Sequence, residues 1–204
     1  MKDNLRTDEI WKSMSSFVEE RGLDDLAKTV ECFDLHAPKL LVGLQNALRS
    51  CDAQASVYRQ KGEKGETAYI ALSFLDSSIL AGTNDLRIDF YDDSFLEDIA
   101  EASAYFPYHH LMPIYHESIA AIHTEAEKHF VRVMDCELDG LACEYKDYVL
   151  YKMVMTTCSL CLLHPDMVEF WPTLTVGQDC VFTFGRLHNN QQLYLKMPQQ
   201  KVTI

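Results

Sequence analysis

Tyr69-Ile70-Ala71-Leu72-Ser73-Phe74-Leu75 and Leu86-Arg87-Ile88-Asp89-Phe90-Tyr91 are the stretches whose reading decides the fold. In the second, Leu86, Ile88 and Phe90 alternate with Arg87, Asp89 and Tyr91. A period of two puts the apolar set on one face of a strand. The turn signals Ala81-Gly82-Thr83-Asn84 separate the two runs. Upstream, Ala55-Ser56-Val57-Tyr58-Arg59 leads through the polar turn Gly62-Glu63-Lys64-Gly65 into the first run, the pattern of a hairpin.

Outward from these strands the period becomes helical. Toward the amino terminus three amphipathic runs are expected. One starts at Asp8 with Ile10, Trp11, Met14, Phe17 and Val18 and is capped by Gly22; one covers 23–33 and stops before Ala37-Pro38; one covers 39–49 with Leu40, Leu41, Leu44 and Leu48 on a stripe. Toward the carboxyl terminus, helices are expected over 95–105, over 112–136 with Pro113 in the first turn, and over 140–164 closed by Pro165. The tail returns to strands, at 180–186 and 192–197, around a turn at His188-Asn189-Asn190.

These patterns predict an α+β protein: an antiparallel sheet of about five strands (55–60, 68–75, 86–91, 180–186, 192–197) packed with a predominantly helical layer. A single domain over 1–204 is expected, with a helical layer at 1–50, hairpin and strand at 55–91, helices at 94–164 and a terminal hairpin at 180–197.

Eighteen basic against thirty-one acidic residues give a formal charge of -13, which repels phosphate backbones and anionic membranes. Nucleic acid and membrane are therefore not the expected partners. The first residues lack a secretory apolar stretch and no segment offers eighteen uncharged apolar residues, so a cytoplasmic protein with reduced thiols is expected.

Met153 to His164 carries no acid, Lys or Arg, so its helix belongs in a core or in a homodimer interface. It also holds Cys158, Cys161 and His164, three soft-metal donors. The first and third stand about 9 Å apart along a regular helix, so one ion requires the helix to end before His164 and a further donor from Cys32, His36, Cys136 or Cys143. Packing of small buried thiols requires none of this and is the expectation, with no cofactor favoured.

Two other constellations carry chemistry. His109, His116 and His123 recur every seven residues, about 10 Å apart along a helix, too far to share an ion. His123 with Glu127, or His116, could still serve acid-base chemistry. Tyr105, Tyr108, His109, Met112, Tyr115 and His116 crowd aromatic rings and imidazoles into an elbow suited to lining a ligand groove. Dinucleotide, nucleoside triphosphate, zinc peptidase and di-iron motifs are absent from the sequence. The acidic stretch from Asp85 to Glu101 is expected to cap a helix through Asp92, Asp93 or Ser94.

The expected function is accordingly a small-molecule-binding or accessory interaction domain. The alternatives are a metal or thiol module built on Cys158, Cys161 and His164, and an enzyme with a histidine acid-base oriented by Glu127.

Overall fold

Buried positions at helical spacing, most of them apolar, run through residues 5–61 and form two helices. α1 spans Leu5–Ser13 and α2 spans Ser15–Lys61. Leu44, Leu48, Cys51 and Ala55 recur at steps of four, three and four, all at 1% exposure or less, so the helical period runs through the segment expected as a strand at 55–60. That strand is corrected to helix: the short alternation of Ala55 to Arg59 was incidental to the longer stripe. Pro38 removes one backbone donor but does not end α2, because buried Phe33, Leu40 and Leu41 hold the helix on both sides of it. Gly22 is interior to α2. A Cβ there would stand 3.0 Å from Val149 Cγ2, so the glycine permits close packing and is not a cap.

The structure, a computed structural model, describes residues 5–187 and 189–196. His188 of the expected turn and residue 197 of the expected last strand lie outside that range. The chain gathers into two compact units, one from residues up to Leu35 with His110–Cys158, the other from His36–His109 with the chain from Ser159 onward.

The first unit is helical. α4 spans Met112–His129 with Pro113 in its first turn, and α5 spans Asp135–Tyr145. The helix expected over 112–136 therefore ends early. Glu137 explains this: its carboxylate accepts from Met134 N–H at 2.8 Å and starts a new helix, while Arg6 pairs with the same carboxylate at 3.1 Å and donates to Val131 O at 3.0 Å. A π-helical turn, Lys146–Leu150, joins α5 to α6, Tyr151–Leu163. From Met153 onward α6 carries no charged side chain, and the helix leaves one residue, Leu163, exposed.

The second unit holds a five-stranded mixed sheet, ordered β3-β2-β1-β4-β5. Its strands are β1 (Tyr69–Phe74), β2 (Asp85–Tyr91), β3 (Ser103–Pro107), β4 (Val181–Arg186) and β5 (Asn189–Lys196). The short helix α3, Asp76–Leu80, links β1 to β2, and α7, Pro165–Phe170, precedes β4. Pairs β1–β2 and β4–β5 are antiparallel, as expected, and β2 also pairs antiparallel with β3, a strand the sequence did not predict; β1–β4 is parallel, which corrects the all-antiparallel expectation. Hairpin partners must run antiparallel, whereas β4 arrives after a crossover of about a hundred residues that can deliver it in either direction. The helix expected over 95–105 is also corrected: only Phe95–Glu97 forms a 3₁₀ turn, and β3 follows as an edge strand. That edge is blunted. Gln54 donates to Ser103 O at 2.9 Å and accepts from Ser103 N–H at 3.2 Å, while Pro107 offers no donor.

Candidate functional site

The expected elbow is divided. Tyr105, Tyr108 and His109 belong to the sheet unit, Met112, Tyr115 and His116 to the helical one. Tyr108 is fully buried, stacked on Phe74 with centroids 5.8 Å apart, and Met112 and Tyr115 are 7% exposed. Tyr115 donates its hydroxyl to Ala142 O at 3.1 Å. Tyr105, His109 and His116 are exposed. His123 turns to α5, its Nε2 3.2 Å from Leu138 O, and Glu127 is exposed on α4.

Cys158 and Cys161 are buried, and burial pushes the Cys161 thiol up to about 12, away from thiolate chemistry. α6 stops at Leu163, and His164 caps α7, its Nδ1 accepting from Asp166 N–H at 3.3 Å. Among the described residues, no group of three or more His, Cys, Asp or Glu side chains is placed to hold a metal ion. No helix there is long and apolar enough to cross a membrane.

Two polar constellations escaped the sequence reading. The first lies in the helical unit, around Asp25 of α2. Its carboxylate accepts from Ser118 Oγ–H at 2.8 Å and Tyr145 O–H at 2.7 Å, and Arg21 stands 4.0 Å away, itself bonded to Ser118 Oγ at 2.8 Å. Asp25, Ser118 and Tyr145 are each 0% exposed. Burial raises the Asp25 carboxyl above its ordinary value, and the two hydroxyls and Arg21 only partly oppose it. A carboxylate sealed in this way ties α2, α4 and α5 together and has no face left for a ligand.

The second is a cleft of about 430 Å³ in the sheet unit, lined by Gly65–Ala68, Asp93 and Gly177–Cys180. It sits where the parallel strands β1 and β4 begin. Gly177 N–H donates to Thr67 O at 2.9 Å, and a Cβ on Gly177 would stand 3.2 Å from that oxygen, so glycine permits the walls to meet. Arg59 fastens the join from α2, donating to Thr67 Oγ1 at 3.0 Å and Asp52 Oδ1 at 3.0 Å, while Asp52 Oδ2 accepts from Thr175 N–H at 3.1 Å.

On the other side, Asp92 accepts from Gly65 N–H at 2.9 Å and from both the N–H and the hydroxyl of Ser94. Burial opposes its ionisation, yet these donors and the nearby Lys64 outweigh that and hold its carboxyl below the ordinary range. Lys64 is itself consumed. Its side chain is 0% exposed, paired with Asp98, which is 2% exposed, and it donates to Ala100 O at 3.0 Å.

Among the described residues the lining therefore presents three exposed carboxylates, Glu66, Asp93 and Asp179, and no basic side chain. Cys180 also lines it, but burial pushes that thiol up to about 12. The arrangement suits an ammonium or guanidinium group. In the sequence, Gly62 to Gly65 read only as a polar turn and Asp92 only as a cap; nothing local ties residue 67 to residue 177. No family model, curated protein or solved structure matches the chain.

Proposed function

We propose that the protein is a binding or accessory domain whose sheet unit takes a cationic group, an ammonium or a guanidinium, into the cleft between Gly65–Ala68 and Gly177–Cys180. One observation supports this reading above others: among the described residues three carboxylates and no cation line a cleft whose walls are pinned by bonds from Arg59, Asp52 and Asp92. A pre-ordered cleft spares the ligand the cost of ordering it. Exposed ion pairs contribute only about 0.2 to 1 kcal/mol each, so a lone amine binds weakly and loses affinity in salt.

Titration of the ¹⁵N-labelled protein with argininamide or cadaverine tests the reading. Saturable shifts are expected at the amides of Gly65 to Ala68 and Gly177 to Cys180, weakened by added salt and by Glu66→Gln with Asp179→Asn. Shifts that survive both substitutions unchanged would refute it.

A further inference from the structure

The connection from β2 to β3, residues 92–102, is longer than the two to five residues a hairpin needs, and it is built at a cost. Phe95 adopts φ +52, a left-handed conformation unfavourable for an aromatic residue, and its ring is held against Tyr69 and Tyr91 at centroid distances of 4.7 and 5.3 Å. Asp98 accepts from Asp92 N–H at 3.0 Å and Ala100 N–H at 3.0 Å, and neutralises the fully buried Lys64. Burying a lysine and a carboxylate is an expensive way to order a surface loop. What this order displays is apolar: Ile99 is 95% exposed and Leu96 46% exposed. Strain and buried charge maintained to present exposed apolar side chains point to recognition.

We infer that this loop is a docking element for a basic segment of a partner protein, one that covers Ile99 and Leu96 with apolar side chains and places a Lys or Arg in the adjoining cleft. The inference rests on the cationic reading of that cleft. Charge selects the occupant: the exposed acids Asp93 and Glu97 share the loop with the apolar pair, and the formal charge of -13 opposes an anionic lipid surface or a second copy of this chain.

The probe is a fluorescent eight-residue peptide alternating Lys and Leu, followed by anisotropy beside matched Glu/Leu and Lys/Ser peptides. Saturable binding of the Lys/Leu peptide is expected, about tenfold or more weaker in Ile99→Ser, since burying one large aliphatic side chain contributes that factor. Glu66→Gln with Asp179→Asn should weaken it several-fold, and both control peptides should bind poorly. Leu80→Ser removes an equally exposed side chain at the opposite end of β2 and should change nothing. Equal affinity for parent and Ile99→Ser, or for the Glu/Leu peptide, would overturn the inference. If argininamide binds the cleft while the Lys/Leu peptide does not bind, the docking inference fails and the cleft reading stands; if neither binds, both fail.

Discussion

The two units each bury a carboxylate, and they satisfy it differently. Asp25, in the helical unit, is met by the hydroxyls of Ser118 and Tyr145, with Arg21 at 4.0 Å; it joins three helices and faces no solvent. Asp98, in the sheet unit, is met by two backbone N–H groups and the ammonium of Lys64, and it orders a loop whose neighbours are exposed. Hydroxyl donors rigidify packing between elements, whereas backbone donors fix the path of the chain itself. The first arrangement is architectural. The second shapes a surface.

The largest effect should come from removing Lys64, because it leaves Asp98 charged and buried. Lys64→Ala is expected to cost about 3 to 5 kcal/mol in chemical denaturation, with Lys64→Met plus Asp98→Asn recovering much of it. A loss under about 1 kcal/mol would show that water reaches the pair and would erase the contrast drawn above.

Next comes Tyr145→Phe, which takes one donor from Asp25 and should cost about 1.5 to 3 kcal/mol. The two carboxylates should also part company with pH. Asp25 has a folded value raised above the ordinary one by burial, so its contribution is fully present below the ordinary carboxylate range and is lost as pH rises through the folded value. Asp92 has a depressed value, so its contribution is present above the ordinary range and is lost as pH falls through the folded value. Acidification should therefore favour the helical unit through Asp25 while loosening the loop at residues 92–102. Unfolding across pH in Asp25→Asn, which should lose the first trend, and amide exchange in the loop, which should report the second, check the two signs separately.

The smallest effect concerns packing around the helical unit's charge pair. In α5, a Cβ at Gly140 would approach Thr7 Cγ2 to 2.8 Å. Overpacking against α1 should outweigh the helix-forming advantage of alanine, leaving Gly140→Ala destabilised by about 1 kcal/mol. A stabilised variant would show that α1 yields readily, and that Arg6 and Glu137 do not hold it in register.

Much of the secondary structure was legible because its signals are local. The strands at 69–74 and 85–91, the uncharged helix to Leu163 and its end before Pro165 all follow from periods and breakers within a dozen residues. Where the reading failed, a local cue was overruled by packing. Gly22 and Pro38 resemble helix ends, yet α2 passes both because its buried stripe continues. Phe95 to Tyr105 resembles a helix, yet Asp98 takes the Ala100 N–H that a helix would have given to Leu96 O, and β2 takes Ser103 to Tyr105 into the sheet. The elbow residues were legible as a cluster in sequence, but the structure turns Tyr108, Met112 and Tyr115 into buried packing.

By itself, then, the sequence determined the helical and extended periods, the acidity that repels phosphate backbones, and the apolar helix that must be covered. Tertiary structure alone decided the parallel pairing of β1 with β4, the meeting of Thr67 with Gly177, and the burial of Lys64 on Asp98 and of Asp25 on Tyr145. The physical reason is separation along the chain. A period expresses free energies between near neighbours, while Asp25 and Tyr145 stand 120 residues apart and gain their bond only once the whole core has closed the loop between them.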